Sequence, residues 1–454
     1  MKANWNESAR WGDAKREPPF TRDVHWVNER NRVTNSWMPG RHNIILNQFK
    51  ADGLYPPVAA PSFSINAVAK HGGPISSADT LSLTAAQGAI YFSIDGTDPR
   101  GNGTPDPARL YSAALTIPST AMVKARAFFN NTWSALNEAL FLVNSQPAAA
   151  ANLKVSAVDY QPANPTPAEE AEGWDQRKDF EFIELLNPSS STVDLAAVAF
   201  THGILFKFDT QSTIRHLLPG QRILIVKCRE AFALRYPAVN PSLVAGEFSQ
   251  RLDDNGDEIV LTTSSAAAIA RFRYNDKFPW PVDADGGGHS LVLIRPETNP
   301  DPADPASWRA SVSRPTPGSE DRTRLSSWLT ANGLTDPNAV QDGSTVNNAV
   351  VYALGADLLS DPADALPKLE IAAFTVNNIT ADYLTIAYNR RAGADDVQVT
   401  PQISSDLSTW VSGEPAATVT VSRRLNGDGT EITVVREVQP MTTRRYVRLS
   451  VRTL

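Results

Sequence analysis

Two acidic stretches come nearest to carrying chemistry in this sequence. "RLDDNGDE" holds Asp253, Asp254, Asn255 and Asp257, and "VDADGGG" holds Asp283 and Asp285. Oxygen-rich loops of this kind are where calcium binds. Neither has the spaced ligands and downstream bidentate glutamate of a full calcium loop. Asn-Gly and Asp-Gly are also strong hairpin signals, so both stretches read as turns between strands. The six histidines, His25, His42, His71, His202, His216 and His289, stand singly, without metal-ligand spacing. A Gly-rich phosphate loop, an HExxH helix and a CxxC pair are absent. Cys228 is the one cysteine, which excludes an internal disulfide. It lies in the alternating run "RILIVKCRE" and reads as a structural thiol. These residue types predict no catalytic, cofactor-binding or metal-binding residue, and no cofactor.

The elements around them are short. The chain has 454 residues, enough for about three domains. Hydrophobic residues make up 42% and charged residues 20%, a globular composition. A net charge of -7 and a pI near 5.5 give no pull toward nucleic acid or an anionic membrane. No apolar run reaches the roughly 20 residues of a membrane helix. The first residues, "MKANWNESARWGDAK", have no apolar signal core. Either the protein is cytoplasmic or its true start lies further upstream.

Residues 1–63 are rich in charge and hold Trp5, Trp11, Trp26 and Trp37, with helical pieces expected between Val24 and Phe49. So short a segment cannot cover these rings, which therefore call for a partner surface. From 64 to 146 the runs "TLSLTA", "AIYFSID", "AALTIP", "MVKARAFF" and "EALFLV" alternate between turn residues, as in a small sandwich. From 153 to 320 seven short strands predict an immunoglobulin-like sandwich, with the Pro- and acid-rich insert "QPANPTPAEEAEGWDQRKD" as an exposed loop. Residues 321–363 predict short helices around Leu325, Trp328 and Leu329, and again in "NNAVVYALG", acting as a linker. Strands return from 364 to 454, in "KLEIAAFTV", "YLTIAYN", "VQVTPQIS", "TEITVVREV" and "RYVRLSVR". The fold class expected is mainly β: tandem β-sandwiches with a helical N-terminal remnant and a small helical linker.

Four resemblances overlie this reading. "AIYFSIDGTDPR" and "ARLYSAALTIPSTAMVKARAFFNNTWSALNEALF" resemble the chitobiase/β-hexosaminidase C-terminal module. The residues that carry the likeness are Tyr91, Asp95, Gly96, Asp98, Pro99, Tyr111, Lys124, Ala125, Arg126, Trp133 and Ser134. That resemblance implies a non-catalytic accessory sandwich, in which Tyr91 to Arg100 is a supporting hairpin. "FEFIELLNPSSSTVDL", "LLPGQRILIVK", "FSQRLDDNGDEIVL" and "YNDKFPWPVDADGGGHSLVLI" resemble a lamin-tail domain. In that family Asp-Leu is usually followed by Ser-Gly-Trp. Here Asp194-Leu195 is followed by Ala196-Ala197. "ESARWGD", "RDVHW", "PGRHNIIL" and "LYPPVAAPSF" resemble the tail of the CotH-type spore-coat kinase region, whose nucleotide- and metal-binding residues lie upstream of such a tail. "WLTANGLTDP", "VVYALGADLLSDP", "ISSDLSTW" and "RRYVRLSV" resemble the ends of large secreted bacterial proteins. In those relatives the segment before "YALG" is Asp-rich and dockerin-like, and here Asp336 and Asp342 are what remains of it.

Together these imply the non-catalytic C-terminal region of a large secreted or cell-surface bacterial protein, acting in adhesion, display or scaffolding. Its partner would be a cell-surface protein or polysaccharide, beside an upstream kinase-like domain of the same parent. Two alternatives stay open. One is a carbohydrate-binding accessory region, with Tyr91, Phe92, Tyr111 and Trp133 as stacking candidates. Against it, Tyr91 and Phe92 must face opposite sides of one strand, and Trp133 is expected in the core. The other is a fragment of an atypical CotH-type kinase.

Overall fold

The computed structural model describes Glu17 and residues 21–209, 212–341, 344–356 and 366–454. Trp5, Trp11 and Asp342 lie outside the described residues. The chain divides into two compact units, Met1–Asn144 and Ser145–Leu454. The fold is mainly β, as expected, in several largely antiparallel sheets.

The first unit begins with α1 (Val27–Arg32) and α2 (Met38–Ala51), preceded and joined by π-helical turns at Arg22–Trp26 and Val33–Trp37. Val24, Trp26, Trp37, Met38, Ile44 and Phe49 are exposed along this run. Arg30 and Arg41 lie over Trp26 and Trp37 at 5.3 and 4.9 Å. A sandwich follows. One sheet holds β1 (Ser62–Ile65), β2 (Val68–Ala69), β4 (Thr80–Thr84) and β6 (Leu115–Thr116). The other holds β3 (Gly73–Ile75), β5 (Ala89–Ser93), β7 (Ala121–Phe129), β8 (Thr132–Trp133) and β9 (Asn137–Val143). The period of two explains the packing. In β7 Val123, Ala125 and Ala127 are buried, and Val123 and Ala125 meet Leu81, Leu83 and Phe141, while Lys124 and Arg126 take the other face.

The second unit opens with β10 (Gln146–Pro147), β13 (Val193–Asp194) and β16 (His216–Leu217) in a small sheet. A six-stranded sheet comprises β11 (Lys154–Asp159), β12 (Phe182–Leu186), β17 (Arg222–Val226), β18 (Val244–Glu247), β21 (Leu291–Leu293) and β22 (Trp308–Ala310). A four-stranded sheet comprises β14 (Ala199–His202), β15 (Phe206–Lys207), β19 (Glu258–Thr262) and β20 (Ala268–Arg273). Val158, Ile183, Ile225, Phe200, Ile259 and Trp308 are among the buried side chains of their shared core.

The insert expected as an exposed loop is more than that. It contains α3 (Pro167–Ala171), started by a capping box between Thr166 and Glu169. Glu169 is buried and binds Arg235 at 2.9 Å through both oxygens. Arg235 closes α4 (Arg229–Arg235) and lies 3.4 Å over the Phe180 ring. Composition marked the insert as polar but could not show that a distant guanidinium would bury one of its carboxylates.

The segment expected as a short helical linker carries α5 (Leu325–Ala331) and α6 (Asn348–Leu354). Leu325, Leu329, Tyr352 and Ala353 pack with Ala394 and Val397 of the following module. The Tyr352 hydroxyl donates to Asp396 at 2.9 Å, and the Leu325 amide donates to the same carboxylate at 2.6 Å. These helices therefore close one end of the last sandwich. That sandwich pairs a sheet of β23 (Lys368–Val376), β24 (Ile379–Arg391), β27 (Thr418–Leu425) and β28 (Thr430–Glu437) with one of β25 (Val397–Ser404), β26 (Val411–Ser412) and β29 (Tyr446–Thr453). Strand β27, in "TVTVSRRL", was not among the expected strands.

Ala197 sits where the lamin-tail pattern has glycine, and its φ is +59°. A side chain in the left-handed region costs about 1–2 kcal/mol. Val198 behind it is buried and fills the place expected of a tryptophan. Ala197→Gly is expected to raise stability by about 1 kcal/mol, read as a later urea midpoint with an unchanged slope. An earlier midpoint would show that the turn is unstrained.

Candidate functional site

The Asp95–Asp98 turn is built by its own side chains. Asp95 accepts from the Thr97 amide at 2.9 Å, and Asp98 accepts from the Arg100 amide at 2.9 Å. Asp98 also takes two hydrogen bonds from Arg126 of β7, both 2.8 Å. This pins the turn to the sheet and braces the end of β5, but it is not the expected hairpin: β5 pairs with β7, and the next strand, β6, lies in the other sheet. The four aromatic candidates are not brought together. Tyr91 meets Trp133 edge-on at 5.3 Å, with Phe128 at 4.8 Å from Trp133. Phe92 meets Tyr111 at 5.9 Å, and this pair packs against the core. Tyr91 and Phe92 do face opposite sides. Trp133 is a correction: it is half-buried in the outer row, with its indole N–H on the Gly103 carbonyl at 2.7 Å, and is not in the core.

Most carboxylates of the acidic turns are likewise occupied, some within the turn and some from elsewhere in the chain. Asp253 accepts from the backbone and side chain of Asn255, which hold its pKa below the ordinary carboxylate value. Asp254 pairs with Arg177 at 3.4 Å. Asp257 accepts from the Glu258 amide at 2.7 Å. Asp283 accepts from the Leu425 amide at 3.0 Å and faces Arg424 at 3.5 Å, so it joins two modules. Asp285 is exposed as a residue, and its pKa is raised by partial desolvation of the carboxyl and by Asp276. Asp336 accepts from the Asn338 amide at 2.8 Å. Among the described residues no three His, Cys, Asp or Glu side chains are placed to hold a metal ion. Cys228 is half-buried at the start of α4.

The polar groups that sequence reasoning missed lie on the outer face of the six-stranded sheet. Alternation along β12 turns Ile183 and Leu185 inward, and a bulge between Val155 and Ala157 lets β11 turn both Val155 and Val158 the same way. Ser156 and Glu184 project to the other side and line a cleft of about 680 Å³. Glu184 is 2% exposed. It accepts from Ser156 at 2.6 Å, from Arg222 at 2.5 Å and from the Gly318 amide at 2.8 Å. At the cleft's other end Arg309 of β22 is 4% exposed. Its guanidinium binds both oxygens of Asp395 at 3.0–3.2 Å, Asp321 Oδ1 at 2.7 Å and the Asp321 and Ala310 carbonyls. Burial alone would ease proton loss, but the two carboxylates outweigh it, and the pKa lies above the usual guanidinium value. Nothing local pointed to Asp395, 86 positions away.

Two further carboxyls are buried. Asp159 has a pKa raised to about 8 by burial, offset in part by nearby Arg235 and the Tyr236 hydroxyl at 3.5 Å. Burial also raises Glu181 to about 8, although one oxygen accepts from the Leu252 amide at 3.0 Å. Both are held protonated at neutral pH.

The comparisons with known proteins agree with the architecture. Residues 146–276 match the family model of the Lamin Tail Domain. Residues 70–135 match that of the Chitobiase/beta-hexosaminidase C-terminal domain. The chain thus carries modules of these two kinds, both non-catalytic and immunoglobulin-like. Neither match reaches residues 1–63. No curated protein matches the chain. Among solved structures it is similar to a DUF4876 family protein from Bacteroides thetaiotaomicron, at 12% identity over 49% of this chain and 90% of that one. The TM-score of 0.26 is too low to argue from.

Removing Arg309 strands two buried carboxylates. Arg309→Met is therefore expected to cost about 3–5 kcal/mol. It should also split the unfolding of residues 145–454 into two calorimetric transitions. A single transition at the original temperature would show that the cluster does not couple the modules.

The raised carboxyl pKa values set a pH dependence. Their folded values, about 8, exceed the unfolded ones, which lie near about 4. The stability they contribute is full below the unfolded pKa and is lost as pH rises through the folded value. The thermal midpoint should fall from mild acid to alkaline pH. Asp159→Asn combined with Glu181→Gln should flatten that fall, and an identical slope in the double variant would count against it.

Proposed function

We propose that this chain is a non-catalytic accessory region of a large extracellular or cell-surface bacterial protein, serving to display or space what it is joined to. The observation that carries the reading is the Arg309–Asp321–Asp395 cluster. It joins the lamin-tail module to the last sandwich through a buried, fully hydrogen-bonded contact, with Asp283 and α5–α6 adding further bonds. A spacer or display arm needs such stiffness, whereas a string of freely hinged modules would not keep it. The kinds of module matched also support an extracellular setting. None of the described helices is long and apolar enough to cross a membrane.

The CotH-type context belongs to the same proposal. The exposed apolar side chains of α1 and α2 would pack on an upstream kinase-like domain of the parent. The partner beyond it would be a cell-surface protein or polysaccharide, met through loops at the sandwich ends.

The test is fractionation of the source organism with an antibody to residues 145–454, together with protease treatment of intact cells. The expected result is recovery in the medium or envelope and loss on shaving. Recovery in the cytosol alone, protected from protease, would overturn the reading.

A further inference from the structure

A second cavity, of about 290 Å³, lies where the lamin-tail loops meet β27. One wall is Phe278, Pro279, Trp280, Pro281 and Pro305, all apolar and ring-bearing. Trp280 is held in place: it is buried, lies 6.5 Å from the parallel Phe272 ring and 6.1 Å from Trp308. Phe278 stays exposed at the mouth. The facing wall comes from the last sandwich and is mixed: Glu414, Thr420, Arg423 and Glu431 supply polar groups beside Val419 and Leu425.

The polar wall is incompletely satisfied. Glu431, 6% exposed, sits 3.2 Å from Arg390 and 3.6 Å from Arg423. Thr420 donates to Glu414 at 2.5 Å. Arg423 Nε is closed to solvent, and its nearest acceptor, Glu431 Oε1 at 3.6 Å, lies just beyond hydrogen-bond distance. Thr433 pairs with Arg423 across the ladder, and its hydroxyl is also buried without a partner. A buried donor left unmade costs about 1–3 kcal/mol, and such groups in a folded protein call for an explanation.

We propose that this pocket binds one uncharged sugar ring. The size takes a single pyranose. The ring-bearing wall, with Phe278 exposed on it, suits the C–H face of a sugar, and the opposite wall offers both donors and acceptors. Hydroxyl groups donate and accept at once, as Arg423 beside Glu414 and Glu431 requires. An anionic ligand would meet Asp283, Glu414 and Glu431 in the same lining. A purely apolar one would leave Arg423 with only its long pairing to Glu431. The inference goes beyond the display role and rests on the pocket alone, so it can fail while that role stands.

The test uses the full chain and four probes: methyl β-D-glucopyranoside, methyl α-D-mannopyranoside, D-galactose and N-acetylglucosamine. Saturation-transfer difference NMR is run at millimolar sugar. At least one probe should give a saturable signal. That signal should weaken at least about tenfold, or 1.4 kcal/mol, in Arg423→Gln and in Glu414→Ala. Glu414 is exposed, so its variant should keep the wild-type melting curve. If no probe saturates, the proposal fails. It fails equally if binding is unchanged in both variants, which would move the site elsewhere, for instance to the Tyr91–Trp133 row. Displacement of every sugar signal by a neutral polyproline peptide at equal concentration would also overturn it, in favour of a peptide pocket.

Discussion

The second unit depends on one buried guanidinium. Arg309 leaves the edge of the lamin-tail sheet and ends between Asp321 and Asp395. Removing that many charges from water is unfavourable unless every lone pair and N–H finds a partner. Here both carboxylates and two carbonyls supply them. Such a cluster tolerates few geometries. It therefore sets the position of the 316–322 loop, the entry to α5 and the β24–β25 turn together. The Thr323–Ala394 bridge and the Asp396 bonds to Leu325 and Tyr352 continue from the same corner.

A second constraint is the alternation of strands. Each sheet turns its aliphatic residues inward, so any polar residue on the outer face meets whatever covers that face. On β11 and β12 the cover is the 316–322 loop, and the polar residues become a cleft floor. Near β27 the cover is the lamin-tail loop that carries Trp280, and the result is an aromatic pocket with charged residues opposite. Both cavities are thus by-products of packing, placed where loops lie on a sheet's outer face.

Much of this fold was legible locally. Runs such as "RILIVK" and "DEIVLTT" announce themselves because a half-buried strand needs an apolar residue at every second position. The Asp95–Asp98 turn could be read because short-range hydrogen bonds depend only on neighbours. Helices α5 and α6 were visible from apolar spacing and a closing glycine, Gly355, whose φ is +68°. What escaped was β27, where two adjacent arginines and a register shift between Thr420 and Ser422 break the alternation.

The sequence by itself determined the class of fold, the kinds of module and the identity of the turns, because each rests on periodicity or contacts a few residues apart. It also determined that metal and nucleophile motifs of familiar spacing are absent. Only the tertiary structure decided which polar residues are buried together. Arg309 with Asp395, Glu169 with Arg235 and Arg423 beside Trp280 join positions far apart in the chain. The reason is physical. A charge can be buried only where the fold brings its partner, and that meeting depends on how sheets stack, which local patterns do not encode.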